Sequence, residues 1–281
     1  MKKCQKDFFS CLPAIIRSAI FLVLLPIAAL FFGTSPAWAA VDLGTAINYA
    51  VLGGSTVTST GITTLNGDLG VWPGTAIAVS NVLTVNGSTH QGDPVAEQAQ
   101  SDLKFAYDYL AGLPYNYDLS SKNLGTLTLL PGVYNFTSDA LLTGTLVLDA
   151  KGDANAQFIF QIGSALTTGT NSAVHLIDGG DASNLFWQIG SSATLGTGTL
   201  FEGNILALTS ISMATGAQIG CGSALARNGA VTLDTNTINA CNETNGGGHA
   251  GGGNNVVPEP SSWILMGFGM MAFAFLRRRL C

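Results

Sequence analysis

The chain has 281 residues, a formal net charge of −6 and only 10% charged residues, where about a quarter is usual. Between residues 41 and 244 the cations are Lys104, Lys122, Lys151 and Arg227, so no basic patch exists to hold phosphates and nucleic acid is excluded as a partner. Thirty-five glycines and abundant threonine favour β-structure with many tight corners.

The first segment reads as a secretory signal. Lys2, Lys3, Lys6 and Arg17 precede an apolar run from Ser18 to Phe32, and Ala37-Trp38-Ala39 has the small-x-small form of a cleavage site. Residues 1–40 are expected to be removed by signal peptidase. A retained N-terminal anchor is the alternative, and the apolar run is short for it. Residues 41–244 then form one domain, large enough for a core.

Val41 to Thr89 reads as short strands, with corners at Gly67-Asp68-Leu69-Gly70-Val71 and Pro73-Gly74. A helix is predicted over 93–112. Asp93 serves as its N-cap and Pro94 as its first residue, while Ala99, Leu103, Ala106 and Leu110 share one face. It should pack lengthwise along the β-structure.

Leu124 to Ile238 returns to strands. Phe158-Ile159-Phe160-Gln161-Ile162-Gly163 recurs as Leu185-Phe186-Trp187-Gln188-Ile189-Gly190. A Thr/Ser-x-x-Thr pattern returns four times, beginning at Thr167, Thr194, Ser212 and Thr232, with intervals of 27, 18 and 20 residues. A period near 20 with strand composition predicts the coils of a solenoid. Alternation within each run predicts an inner stack of Ile162, Leu166, Ile189, Leu195, Leu206, Met213, Leu225 and Leu233. Of the five cysteines, Cys221 and Cys241 lie in the domain, and in an oxidising compartment a disulfide between them is expected. Two unpaired thiols are the alternative.

Residues 245–256, mostly Gly and Asn, read as a flexible linker. The last segment, 257–281, carries Pro258-Glu259-Pro260, an apolar stretch from Trp263 to Leu276, and Arg277-Arg278-Arg279. It resembles the PEP-CTERM sorting signal of Gram-negative bacteria. That resemblance implies recognition by an exosortase, a transient C-terminal membrane anchor, and a secreted or cell-surface product. A permanent anchor is the alternative.

Catalysis finds little support in the residues. Asp149, Asp153, Asp178, Asp181 and Glu202 sit mostly at predicted corners, where Asp is usually a turn former. His90, His175 and His249 have no metal-ligand spacing, and no nucleophile motif or phosphate loop occurs. No enzyme activity, metal or cofactor is expected.

Leu43-Gly44-Thr45-Ala46, Pro73-Gly74-Thr75-Ala76, Leu130-Pro131-Gly132-Val133-Tyr134, Phe158-Ile159-Phe160-Gln161, Gly203-Asn204-Ile205-Leu206-Ala207 and Arg227-Asn228-Gly229-Ala230-Val231-Thr232-Leu233 together resemble the microbial ice-binding protein family. The resemblance runs from about Val41 to Ile238. It implies a mainly β fold, an irregular right-handed β-helix of triangular cross-section with one long α-helix alongside. It also implies an ice crystal surface as partner, met by one flat, water-ordering face. On this chain that face is expected to carry Thr167, Thr194, Ser212 and Thr232, extended by Thr56 and Thr58. Thr170, Thr197, Thr215 and Thr235 are flanking or corner candidates. The alternative function is an extracellular matrix or adhesion protein that binds polysaccharide without catalysis. Aromatic residues on the face would favour it, and the Thr copies contain none.

Overall fold

A computed structural model describes residues 40–241. Its strands form three sheets in which every pairing is parallel, as a chain winding repeatedly in one sense requires. Along the first sheet the strands run in the order Thr89–Gln91, Asp68–Val71, Tyr49–Gly53, Ala224–Ala226, Asn204–Ala207, Leu185–Ile189, Phe158–Ile162, Gly132–Phe136, Tyr117–Asp118. The second sheet runs Ala140–Leu142, Leu166–Thr168, Ala193–Leu195, Ile211–Met213, Val231–Asp234, Thr56–Thr60, Ala76–Val79. The third runs from Val82–Val85 through Ile62–Asn66, Thr237–Asn239 and Gln218–Ile219 to Thr128–Leu129. This is a three-sided β-helix.

The coil order is not the chain order. The first coil, residues 49–66, pairs with the last, residues 224–239, on all three sheets: Val51 beside Ala224, Thr58 beside Thr232 and Leu65 beside Ile238. The second coil stacks outside the first, with Leu52 beside Gly70, Thr58 beside Ala78 and Thr64 beside Thr84. The chain must then travel to the opposite end before it can wind back.

Helix α1, Pro94–Gly112, makes that journey. Asp93 accepts from the N–H groups of Val95 and Ala96, which satisfies donors that the first turn leaves free. Ala96, Ala99, Gln100, Leu103, Ala106, Tyr107 and Leu110 are buried. Gln100 Nε2 donates to Ala226 O, Tyr107 OH to Ile189 O, and Gln161 Nε2 to Leu110 O. The ten residues from Gln100 to Leu110 rise about 15 Å, and three rungs of the ladder, from Ala226 to Gln161, span about 14–15 Å. The two rises match, so α1 keeps one face on the first sheet.

The core runs down the middle as side-chain ladders. Tyr134, Phe160 and Trp187 occupy one register position and stack, at 5.3 Å and 4.0 Å between ring centroids. Ile162, Leu166, Ile189, Leu195, Met213 and Leu233 belong to this interior. Leu206 and Leu225 do not. Their neighbours Ile205, Ala207, Ala224 and Ala226 fill the central core, so by alternation these two leucines project from the other face of the first sheet, beneath α1. They are buried there, and the expectation of an inward position is corrected: both faces of this sheet are covered, so its apolar runs carry no in–out signal.

Cys221 and Cys241 form a disulfide with a Cα–Cα distance of 5.1 Å. Among the described residues no helix is long and apolar enough to cross a membrane. The apolar stretch from Trp263 to Leu276, residues 258–260 and 277–279, and the leader through residue 39 lie outside the described residues.

Candidate functional site

The second sheet carries the pattern singled out in the sequence. Its strands alternate buried and exposed residues, as in Leu166–Thr168, Ala193–Leu195 and Ile211–Met213. Register places Thr167 beside Thr194, Thr194 beside Ser212, Ser212 beside Thr232, and Thr232 beside Thr58. Five hydroxyl side chains thus stand in one outward column across five coils, about 19 Å long at the usual strand spacing. Thr58 Oγ1 donates to Thr232 Oγ1 at 3.3 Å, across the junction of the two chain ends. Leu141 continues the column at one end and Ala78 at the other. The central column holds no charge and no aromatic ring.

Directly beneath it lie buried Leu166, Ala193, Ile211, Val231 and Val57 on one side and Leu195, Met213 and Leu233 on the other. This packing, together with stiff β-branched stems at four of five positions, gives the column little conformational freedom. Thr56 lies on the same face but one row to the side, beside Ala76.

A second rank stands at the corner between the second and third sheets. Asn171 N donates to Thr197 O, Gly198 N to Thr215 O, Gly216 N to Asp234 O, and Thr235 N to Thr60 O. The rank is therefore Thr170, Thr197, Thr215, Asp234 and Thr60. Each member is followed by a left-handed residue: Asn171 (φ 55°), Gly198 (67°), Gly216 (72°), Thr235 (55°) and Gly61 (66°). Thr235 is thus not in the rank. It fills the left-handed turn position, which β-branched residues resist, and Asp234 takes the place expected for it. The reason is spacing: the first three coils carry an extra residue (Gly169, Gly196 or Ala214) between column and rank, and the coils of Thr232 and Thr58 do not. Asp234 and Thr60 escape the sequence pattern because a fixed three-residue interval does not reach them. The glycine after Thr60 was the signal that could have found it.

Asp234 is the one charge of this rank. Thr215 Oγ1 and Thr235 Oγ1 donate to its carboxylate. These hydroxyls, that of Thr215 foremost, hold its pKa below the ordinary carboxylate value.

Four of the acidic residues named above have structural partners. Asp149 pairs with Lys151 Nζ at 2.5 Å, Asp153 accepts from Asn155 N, Asp181 from Ser183 N, and Glu202 from Cys221 N. Among the described residues no group of three His, Cys, Asp or Glu side chains is placed to hold a metal ion. His175 is exposed on the third sheet, and His249 lies outside the described residues.

Comparison with known proteins bears on the family and the fold. The family model described as "Ice-binding-like" matches residues 51–239, and that of the PEP-CTERM protein-sorting motif matches residues 256–279. A protein of Nostoc sp. (strain HG1) named "Ice-binding protein" is 51% identical over 261 residues, covering 92% of this chain and 94% of its own length. The crystal structure of an ice-binding protein from an Antarctic biological consortium superposes with a TM-score of 0.70 at 44% identity, covering 73% of this chain and 93% of that one. That of an ice-binding protein from Antarctomyces psychrotrophicus gives a TM-score of 0.70 at 38% identity, covering 73% and 100%.

Proposed function

The chain belongs to the ice-binding-like family, and on that premise we propose that it is an exported protein that adsorbs to ice through the second sheet and inhibits ice growth and recrystallisation. The observation that carries the choice of face is the register-aligned column Thr167, Thr194, Ser212, Thr232 and Thr58, exposed or half-exposed along its length and free of charge.

The strand repeat of about 4.8 Å lies close to spacings in the ice lattice. Threonine methyls order a layer of water above the column, and the hydroxyls anchor it. Because the side chains are already fixed, little entropy is lost when that layer joins the crystal. Bound molecules then force the front between them to curve, which slows its advance. Thr170, Thr197, Thr215 and Thr60 widen the surface at one edge. The reading needs no catalysis, no metal and no cofactor, and the turn and pairing roles of the acidic residues favour it over an enzyme.

The sorting motif at 256–279 supports export to the surface of, or outside, a Gram-negative cell. We further propose removal of residues 1–40 by signal peptidase, a transient anchor formed by Trp263 to Leu276, a linker at 245–256, and exosortase processing near Pro258-Glu259-Pro260. Polysaccharide binding is the weaker reading, since the central column of the proposed face presents no aromatic ring.

The deciding experiment is an ice-recrystallisation inhibition assay on the purified chain and on a Thr194→Tyr/Thr232→Tyr double variant, with circular dichroism to verify folding. Loss of inhibition in a folded variant is expected. A folded wild type without inhibition sinks the ice reading, and inhibition that survives both substitutions sinks the choice of face.

A further inference from the structure

Behind the corner rank runs a second set of polar side chains, this one buried. Thr63, Asn236, Ala217, Thr199 and Ser172 occupy successive rungs at the start of the third sheet, each one residue before the register pairs Thr64, Thr237, Gln218, Leu200 and Ala173. All five are at most 1% exposed. Four are polar, and their partners are backbone groups of the corner or, for Thr199, the hydroxyl of Thr168. Ser172 Oγ donates to Leu142 O at 2.9 Å. Thr199 Oγ1 lies 2.8 Å from Thr168 Oγ1, which in turn accepts from Gly196 N. Burying such groups is tolerable only when every one is paired, so the spine dictates where the corner backbone sits.

The spine is interrupted at Ala217, which offers no hydroxyl. Asn236 spans the gap. Its Nδ2 donates to Ala214 O at 3.0 Å and to Ala217 O at 2.8 Å, so one amide clasps both ends of the turn that carries Thr215. Its Oδ1 accepts from Asp234 N at 2.6 Å. Its own N–H donates to Thr63 Oγ1 at 3.3 Å, and its carbonyl accepts from Thr64 N at 2.9 Å. The side chain thereby joins the Thr215 turn to the Asp234 turn, and the backbone of the same residue ties both to the first coil.

Accepting that the second sheet and its corner meet ice, we propose that Asn236 is a positioning residue for ice binding. It touches no ice. It sets the spacing between Thr215, Asp234 and Thr60, so that the rank continues at ladder pitch over a coil where the interval between column and rank changes from three residues to two. Without the amide, Ala217 O and Asp234 N lose these bonds, Ala214 O keeps only that from Ala217 N, and both turns relax toward water. The hydroxyls above them then leave the common plane, although the central core is untouched.

The test compares the purified wild-type chain with Asn236→Ala and with Ile219→Ala. Ile219 is buried on the third sheet in the neighbouring coil, the one that carries Thr215, and its truncation weakens the core without reaching the corner amide. Thermal hysteresis is measured against concentration near 4 °C, where circular dichroism verifies that each protein is folded, and the melting temperature of each is recorded. Asn236→Ala is expected to lower hysteresis at least about fivefold, because a contact surface tolerates little misplacement, while Ile219→Ala keeps more than half. Equal losses in the two variants, tracking their melting temperatures, overturn the positioning role. Should Asn236→Ala not fold, Asn236→Ser serves instead: it keeps a hydroxyl too short to clasp the turn, and full activity in it when folded overturns the inference. A wild type without hysteresis overturns the ice reading itself and this inference with it, and the wild-type arm alone reveals that case.

Discussion

The first and second sheets come from the same coils, yet one is covered and the other open. Strands of the first sheet, such as Phe158–Ile162 and Leu185–Ile189, are buried at every position because α1 lies on their outer side. Strands of the second sheet bury every other residue and keep Thr167, Thr194 and Ser212 outside. The difference separates stability from function within one scaffold. Ladders on the first sheet hold the coils in line, and the second sheet can then spend its outer positions on water.

The largest effect that sharpens this contrast is expected beneath the helix. Leu206→Ala should cost about 2–5 kcal/mol, as truncation of a fully buried leucine does, and lower the melting temperature markedly. Ice-recrystallisation inhibition per folded molecule should stay unchanged. Urea titration beside the inhibition assay checks both, and an activity loss exceeding the folded fraction would break the separation of roles.

A smaller effect is expected at the start of α1. Asp93→Ala removes the N-cap and should lower the melting temperature by less than Leu206→Ala does. The carboxyl of Asp93 lies below its ordinary value of 3.8, chiefly because Ala96 N–H donates to it and then because of His90. The folded chain therefore resists protonation more than the unfolded one. The contribution of the cap is complete above pH 3.8 and fades as the pH falls through the lower, folded value. Melting curves from pH 7 downward should show the wild type and Asp93→Ala converging only below that point. A gap that stays constant into strong acid would refute the assignment.

The smallest effect should be a gain on the open side. Thr235→Asn places at a left-handed position a residue that accepts it, as Asn171 does in another coil, and should stabilise by about 0.5–1 kcal/mol. Because Thr235 lies outside the corner rank, inhibition should persist. Calorimetry and the inhibition assay together test this, and a loss of activity would return Thr235 to the ice surface.

Much of this was legible in the residues. The paired runs ending in Gln161 and Gln188 align rung on rung, and Asp93 with Pro94 marked the helix start. The outward column followed from alternation, because the second sheet, unlike the first, has one wet face. Leu206 and Leu225 were misplaced for the converse reason, since a strand buried on both sides contains no record of which side is which. Asp234 was missed because a local change of interval is invisible until backbone hydrogen bonds show which residues share a rank. The buried Asn236 amide was hidden for a related reason: an asparagine beside a turn looks like any turn residue until its three partners are known.

The agreement between the rise of α1 and the rise of the ladder limits how such a molecule can change size. Adding or removing one coil moves the far end by about 4.8 Å, which corresponds to about 3.2 helical residues. A helix lengthened or shortened by three residues turns its buried face by about 60°, so Leu103, Tyr107 and Leu110 would no longer all meet the sheet. Coil number and helix length can change only together, with the apolar stripe redrawn along the helix. Helix α1 acts as a gauge that fixes how many threonines the open face can carry.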